Sequence, residues 1–266
     1  LLTVRTKVLQ VRKFGESLNS TIVPVVKGLG KKQGKRDKNS VSQFEAFSAA
    51  ISGTVGTGNI IGVTSAILTG GPGAVMWMWI SAFVGMVTNY SENVLGLYYR
   101  RKEKDGSFSG GAFYYIAYGL KQNWLGLLAA VFCLLAATGM SGVQTNKITG
   151  SFISVLNTDE AWVKLLIGSV VALLAAVVII GGIKRIGRIA SMLVPFMSVL
   201  FMVMSFIIIG KNIGAVPETF RLIFSSAFSA KAVAGGVGGF VFSQIIKKGL
   251  ARGVFSNEAG LGSAPI

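Results

Sequence analysis

The feature that most constrains this chain is a run of 46 residues, between Glu45 and Glu92, that contains no charged side chain. Four further uncharged runs, of 25, 19, 22 and 15 residues, begin after residues 121, 164, 188 and 231. About 20 apolar residues cross the hydrocarbon core of a bilayer as a helix, and unpaired charge is costly there. The pattern therefore predicts an all-α membrane protein with several spans.

Six spans fit into these uncharged runs, with a Gly-Gly-Pro-Gly turn at 70–73 between the first two. The predicted spans are 47–68, 74–98, 124–148, 163–180, 189–209 and 233–246. The composition agrees, because 14% of the residues are charged and a soluble domain averages about 25%.

Lysine and arginine indicate which loops face the cytoplasm, since cytoplasmic loops carry an excess of both. The segments 5–38, 100–121, 184–188 and 247–252 hold 21 of the 26 basic residues and form alternate loops. We assign these four segments to the cytoplasmic side and the turn at 70–73 to the outer side. This distribution accounts for the net charge of +16, so we expect a lipid bilayer and no nucleic acid as the partner.

The reactive side chains exclude several kinds of chemistry. The chain has no histidine, which removes Ser-His-Asp and Cys-His nucleophiles and imidazole-bound metal. Its one cysteine, Cys133, can form neither an intrachain disulfide nor a thiolate zinc site. We therefore expect that the protein is not an enzyme and uses no organic cofactor.

Glycine clusters interrupt two of the predicted spans. Residues 53–59 combine three glycines with Thr54, Thr57 and Asn59, and residues 235–239 contain four glycines. Unwound backbone at membrane depth is tolerated where it lines a cavity, and its carbonyl and amide groups can then bind a cation and an anion. We predict that the first and sixth helices are broken at these clusters. A separation of five spans inverts the second copy, as in an inverted repeat.

Two other interpretations of the first cluster stay open. Gly58 and Gly62 have the small-xxx-small spacing of closely packed membrane helices. The sequence TVGTG at 54–58 is also one residue away from the TVGYG filter of potassium channels, so a cation channel is the alternative function. A channel filter lies on a re-entrant loop between two spans, whereas this segment is embedded in one apolar run.

Three charged residues suggest further roles. Arg252 and Glu258 flank the sequence GVFSN, and we predict that they pair in one state as a cytoplasmic gate. The simpler interpretation is that Ser256 or Asn257 caps a following helix, with Glu258 in its first turn. Glu92 lies about two turns inside the second span, where we predict a structural or gating role.

Several sequence blocks together resemble the alanine or glycine:cation symporter family, also called the sodium:alanine symporter family. These blocks are GTVGTGNIIGV at 53–63, GGPGAVMWMW at 70–79, the stretch ending at Arg100, GGAFYYI at 110–116 and GLARGVFSNEAGLGSAP at 249–265. The resemblance implies the five-plus-five inverted-repeat (LeuT-like) fold of amino acid, polyamine and organocation transporters, with broken first and sixth core helices.

We expect this chain to be a fragment of that fold. Residues 1–46 would form the tail of a preceding span and a basic cytoplasmic segment. Residues 47–210 would form the first repeat of five helices, and residues 211–266 the start of the second repeat.

The resemblance implies a secondary active symporter in the plasma (inner) membrane of a bacterium. Such a protein couples the entry of Na+, or of H+ in some members, to the uptake of alanine or glycine by alternating access. Backbone carbonyl groups near Ser52 and Val55 would help to hold the sodium ion.

The residues expected to bind the substrate are also assigned by their match to the family's motifs. The resemblance implies that Thr57, Gly58 and Asn59 contact the carboxylate and the amino group of the substrate. Gln144 would face the substrate, although an interhelical hydrogen bond is its other interpretation. Gly238 and Phe240 would close over the substrate side chain.

Overall fold

The computed structural model describes residues 1–28, 43–56, 58–104, 106, 108–228 and 237–264. The α-helices are α1 (Leu2–Arg5), α2 (Leu9–Arg12), α3 (Phe14–Gly28), α4 (Gln43–Thr54), α5 (Val63–Gly70), α6 (Gly73–Tyr98), α7 (Ala112–Gly119), α8 (Asn123–Leu156), α9 (Ala161–Ile180), α10 (Gly182–Lys211), α11 (Val216–Ala227) and α12 (Val237–Asn257). A π-helix occupies Gly58–Gly62 and a 3₁₀ turn Ile213–Ala215. Strands β1 (Arg101–Lys102) and β2 (Phe108–Ser109) pair antiparallel, with Arg101 opposite Ser109.

Four helical segments of the described chain are long and apolar enough to cross a membrane. They are Ala46–Gly70, Asn123–Leu156, Ala161–Ile180 and Arg185–Lys211. In α9, Leu165 is 72% exposed and Leu173 is 66% exposed, and only 6% of the most apolar stretch is buried. Apolar surface of this extent requires lipid or further protein around it. The all-α membrane class predicted from the sequence is confirmed.

The other two predicted spans also correspond to helices, although neither belongs to the four most apolar segments. The second span, predicted at 74–98, coincides with α6, which has 26 residues. The sixth, predicted at 233–246, overlaps α12, which has 21 residues and continues to Asn257. Both helices carry charged residues, Glu92 in α6 and three basic residues in α12, which lower their hydropathy.

Contacts divide the chain into two compact units. Unit 1 comprises Leu1–Gly15, Gly58–Val94 and Phe196–Ala264, and unit 2 comprises Glu16–Thr57, Leu95–Pro195 and Pro265–Ile266. The division into 1–46, 47–210 and 211–266 that the sequence suggests stays a prediction.

In unit 1, α12 packs on α6 through two glycines four residues apart. A Cβ atom at Gly249 would lie 2.5 Å from the carbonyl oxygen of Ala74 and 2.6 Å from the Cβ of Trp77. A Cβ atom at Gly253 would lie 2.6 Å from the Cβ of Ser81. These two positions therefore form a small-xxx-small contact, in which the absence of side chains lets the helices approach closely.

Helix α12 runs parallel to α6, so that its later residues meet later residues of α6. Gly249 contacts the start of α6, whereas the carbonyl oxygen of Asn257 accepts a hydrogen bond from Asn89 further along, with an N–O distance of 3.5 Å. Before Gly249, Lys248 packs beside Gly70, where an added Cβ would lie 3.0 Å from the Cβ of Lys248.

The structure places residues 247–252 in a helix and not in the loop that the sequence predicts. The sequence assigns them to a cytoplasmic loop, but Lys247, Lys248 and Arg252 lie within α12. Lys248 is also level with the turn at 70–73, which the same prediction places on the outer side. The error arises because the uncharged run before Lys247 accounts for only the first half of a helix whose second half carries the basic residues.

Candidate functional site

The first predicted span is interrupted at its glycine cluster. Helix α4 ends at Thr54, Val55 and Gly56 form a bend, and a π-helix begins at Gly58. Thr57 lies outside the described residues. A π-helical turn leaves the regular hydrogen-bonding pattern and is frequent at functional sites. Because the TVGTG segment lies within one interrupted helix rather than on a loop between two spans, the structure does not favour the channel alternative.

In unit 1, two side chains of α12 bind the start of the π-helix. The hydroxyl of Ser256 donates a hydrogen bond to Oδ1 of Asn59, and Nη2 of Arg252 donates to the carbonyl oxygen of Gly58. Arg252 and Ser256 are four residues apart, so they lie on the same face of α12. The structure thus brings two predicted substrate residues, Gly58 and Asn59, to the end of another helix.

Two glycines of the interrupted helix make room for the guanidinium group of Arg252. A Cβ atom at Gly58 would lie 2.7 Å from Nη2, and a Cβ atom at Gly62 would overlap the guanidinium group. The Cζ atom of Arg252 also lies 5.1 Å from the ring centroid of Phe255, a cation–π contact. The close packing that the spacing of Gly58 and Gly62 indicates is therefore present, although a side chain fills the space.

The second helix end at this site is the carboxyl end of α12, whereas the predicted break falls at the start of that helix. The sequence predicts a break at 235–239, but Gly238 and Gly239 belong to α12, and residues 235 and 236 lie outside the described part. Helix α12 ends at Asn257. The turn that follows has positive φ angles at Glu258 (52°), Gly260 (87°) and Gly262 (72°). Left-handed residues of this kind commonly end helices.

The predicted contacts of Gly238 and Phe240 with the substrate stay a prediction, since the described part of the chain includes only their backbone. The two residues precede Ser256 by eighteen and sixteen residues within one helix, which corresponds to about 27 and 24 Å at 1.5 Å per residue. The residues that sequence reasoning missed at this site are Phe255 and Ser256. A signal for Ser256 was the polar pair Ser-Asn that follows the Gly-xxx-Gly packing motif of Gly249 and Gly253.

The structure corrects the predicted helix cap. Ser256 and Asn257 are the last two residues of α12 and do not begin a following helix. Ser256 instead bonds Asn59, and the side-chain amide of Asn257 donates to the carbonyl oxygen of Gly253, with an N–O distance of 2.7 Å.

Two carboxylates lie at the turn after α12. Glu258 accepts a hydrogen bond from the hydroxyl of Ser263, at 2.8 Å, and the carboxylate of Glu92 lies near the backbone amides of Gly260 and Gly262, with its Oε2 buried and without a hydrogen-bond partner among the described residues. This contact supports the structural role predicted for Glu92. Among the described residues Arg252 forms no ion pair with Glu258, so their pairing as a gate stays a prediction.

In unit 2, the carboxamide of Gln144 on α8 lies against Gly56 of the bend. A Cβ atom at Gly56 would lie 3.0 Å from Nε2 of Gln144 and 3.6 Å from its Cδ. The bend therefore needs a glycine at this position if Gln144 is to remain in place.

The residues predicted to hold the ion lie at the end of α4. The hydroxyl of Ser52 donates to the carbonyl oxygen of Ala49 at 2.6 Å, and the amide of Val55 donates to the carbonyl oxygen of Ile51 at 2.7 Å. The last carbonyl groups of a helix have no partner within it. Ser52 and Val55 therefore supply the kind of oxygen atom that a sodium ion requires.

Known proteins similar to this chain are transporters. The model of the sodium:alanine symporter family matches residues 1–266. An uncharacterized transporter of Haemophilus influenzae is 41% identical over 267 residues, covering 100% of this chain and 56% of that protein. The sodium/alanine symporter AgcS of Methanococcus maripaludis is 42% identical over 241 residues, 89% of this chain and 51% of AgcS. The probable sodium/glutamine symporter GlnT of Bacillus subtilis is 38% identical, covering 99% of this chain and 52% of GlnT.

The chain spans about half the length of the curated relatives it matches. The expectation that it is not an enzyme is confirmed, because the family and these relatives are transporters. The match extends over all 266 residues and includes the interrupted helix and the segment that binds it. The chain therefore belongs to the sodium:alanine symporter family.

Proposed function

We propose that this chain is part of a symporter that couples the entry of Na+ to the uptake of a small neutral amino acid, alanine or glycine. The observation that carries the proposal is the meeting of two helix ends in unit 1. Asn59, where an interrupted helix resumes, accepts a hydrogen bond from Ser256, the second-to-last residue of helix α12. Family membership supports transport as the activity.

The chemistry of these helix ends suits a zwitterion. The positive end of a helix dipole and its unpaired amides favour a carboxylate, so the start of the π-helix at Gly58 can receive the carboxylate of an amino acid. The carboxamide of Asn59 offers both a donor and an acceptor. Thr57, Gly58 and Asn59 are proposed as the contacts of the carboxylate and the amino group.

The size of the pocket is proposed to depend on Phe255. Its Cε1 atom would lie 3.6 Å from a Cβ atom at Gly58, so its ring occupies space directly beside the predicted substrate position. A bulky ring there restricts the substrate side chain to a methyl group or a hydrogen. This is the role that the sequence assigns to Phe240. In unit 2, Gln144 is proposed as a second substrate contact.

Sodium is proposed as the coupling ion, held in part by the carbonyl groups of Ser52 and Val55. A Bacillus subtilis relative is named a putative sodium/proton-dependent alanine carrier, so H+ is the other candidate. Movement of the helices about the bound amino acid would open the site to either side in turn, in a five-plus-five inverted-repeat fold. We place the protein in the plasma membrane of a bacterium.

Uptake of labelled alanine by the full-length protein in vesicles tests this proposal. We expect uptake that requires an inward sodium gradient and that Asn59→Ala reduces about 10-fold or more, the loss expected when a hydrogen bond to a charged group is removed. Asn212→Ala is the matched control, because its side-chain amide donates to the Ile208 carbonyl of the preceding helix α10. Uptake without a sodium gradient, or full uptake by Asn59→Ala, contradicts the proposal. Ion current in the absence of amino acid would favour the channel alternative.

A further inference from the structure

The hydrogen-bonding capacity of the Arg252 guanidinium group is only partly satisfied. It carries five N–H groups, and its Nη2 donates to the carbonyl oxygen of Gly58. Its Nε is buried and has no hydrogen-bond partner among the described residues. A buried charged donor without an acceptor costs free energy, which indicates that a further acceptor belongs at this position.

No carboxylate of the described chain neutralises this charge. The ion pairs found there, Lys164–Asp159 and Arg221–Glu218, do not involve Arg252. Glu258 accepts from Ser263 in the turn after α12, and Glu92 on α6, although its Oε2 is buried without a hydrogen-bond partner, forms no ion pair with Arg252 in the described chain. A charged side chain within a membrane protein normally faces a partner or a pathway.

Glycines and an aromatic ring surround the guanidinium group of Arg252. A Cβ atom at Gly62 would overlap the guanidinium group, and one at Gly58 would lie 2.7 Å from Nη2. The ring of Phe255 flanks it at 5.1 Å. Glycines on one side and an aromatic ring on another hold the planar group beside Gly58 and Asn59, the two residues proposed to contact the substrate.

We propose that Arg252 binds the α-carboxylate of the transported amino acid. The inference rests on the proposed function and adds a charged residue to its site. Nη2 carries two hydrogens, so one can stay on Gly58 while the other, which shares an edge of the planar group with the buried Nε–H, joins it in donating two parallel hydrogen bonds to one carboxylate, the geometry that arginine favours. The arriving substrate then supplies both the missing acceptor and the missing counter-charge.

Equilibrium binding of two ligands to the full-length protein in sodium tests the inference. L-alanine carries the carboxylate, and L-alaninamide replaces it with a neutral amide. We expect Arg252→Gln to weaken alanine binding about 10- to 100-fold, the range for a charged hydrogen bond, and to change alaninamide binding less than about 3-fold. The preference of the wild type for alanine over alaninamide should therefore largely disappear.

Two further variants separate this effect from misfolding. Arg252→Lys keeps the positive charge but cannot form a bidentate pair of hydrogen bonds with a carboxylate, so it should retain an intermediate preference for alanine over alaninamide. Arg101→Gln, in strand β1, removes an arginine that stacks on Tyr118 at 3.8 Å and should leave the preference unchanged.

The outcomes are distinct. If Arg252→Gln weakens both ligands by the same factor, or neither, the inference is overturned, because Arg252 then does not distinguish a carboxylate from an amide. If Arg252 instead pairs with a carboxylate side chain elsewhere in the full-length protein, Arg252→Gln should weaken the binding of alanine and alaninamide by the same factor. If the wild type shows no sodium-dependent binding of alanine, the proposed function itself fails.

Discussion

The hydroxyl of Ser256 donates a hydrogen bond to the side-chain oxygen of Asn59, across 197 positions of sequence. One turn earlier, Arg252 donates to the carbonyl oxygen of Gly58. The interrupted helix is therefore held, at the point where it resumes, by side chains from the last two turns of another helix. A ligand at this point would contact both helices, and a change in either helix end would alter its binding.

Ser256→Ala should remove one hydrogen bond that orients the Asn59 carboxamide. A neutral hydrogen bond contributes about 1 kcal/mol net, so we expect sodium-dependent alanine affinity to fall about 5-fold. Ser191→Ala is the matched control, because that hydroxyl donates only to the Arg188 carbonyl of its own helix, at 2.8 Å. Equal effects of the two variants would show that the Ser256–Asn59 bond does not shape the site.

The contact between α12 and α6 predicts a stability difference between glycines. Gly249→Ala places a Cβ atom 2.5 Å from the carbonyl oxygen of Ala74, so the helices must separate, at a cost of about 1–3 kcal/mol. Gly168→Ala in α9 meets no atom within 4 Å and should be neutral or stabilising by up to about 1 kcal/mol. Thermal unfolding of the detergent-solubilised protein measures both, and an unchanged melting temperature for Gly249→Ala would contradict the packing.

The interruption of the first span could be predicted from its residues alone. Three glycines with Thr54, Thr57 and Asn59 in an apolar run have a local physical meaning, since they weaken the helix and supply polar groups. The second helix end could not be located in the same way. The glycines at 235–239 are the denser cluster, but Gly238 and Gly239 are helical. Glycine density thus does not distinguish unwinding from helix packing.

The partners across the site depend on tertiary contacts that no local pattern contains. The sequence singles out Arg252 and pairs it with Glu258, six residues away, because opposite charges nearby are the obvious partners. In the structure its partner is a backbone carbonyl at Gly58, which has no signature in a sequence. The parallel course of α12 and α6, which places Lys248 beside Gly70, is likewise visible only in their packing.

The bend at Gly56 predicts a coupled pair of substitutions in unit 2. Gly56→Ala brings a Cβ atom to 3.0 Å from Nε2 of Gln144, and the flexible carboxamide can move away at little cost in stability. If Gln144 contacts the substrate, Gly56→Ala should lower alanine uptake several-fold in the wild type but have little further effect in Gln144→Ala, since contacting residues are not additive. Additive losses in uptake assays would contradict a shared role.

Glu92 should control the order of the turn after α12. Its carboxylate lies near the amides of Gly260 and Gly262, so Glu92→Ala removes an acceptor from beside both amides. Faster hydrogen exchange across residues 258–264 is expected, whereas Glu92→Gln, which keeps an acceptor oxygen, should retain most of the protection. Glu103→Gln, an exposed position after β1, serves as the control. Unchanged exchange in Glu92→Ala would show that the turn is held by other contacts.

The course of α12 predicts which side of the membrane Lys248 faces. Lys248 packs beside Gly70, so cysteines at Lys248 and at Gly71 should react with an impermeant maleimide from the same side. Helix α6 has 26 residues, about 39 Å, which is long enough to carry the chain across a hydrocarbon core of about 30 Å. A cysteine at Lys104, beyond α6, should therefore react from the opposite side. If positions 248 and 104 are labelled from one side and position 71 from the other, this prediction is wrong. Residues 247–252 would then face the cytoplasm, as the distribution of basic residues suggests.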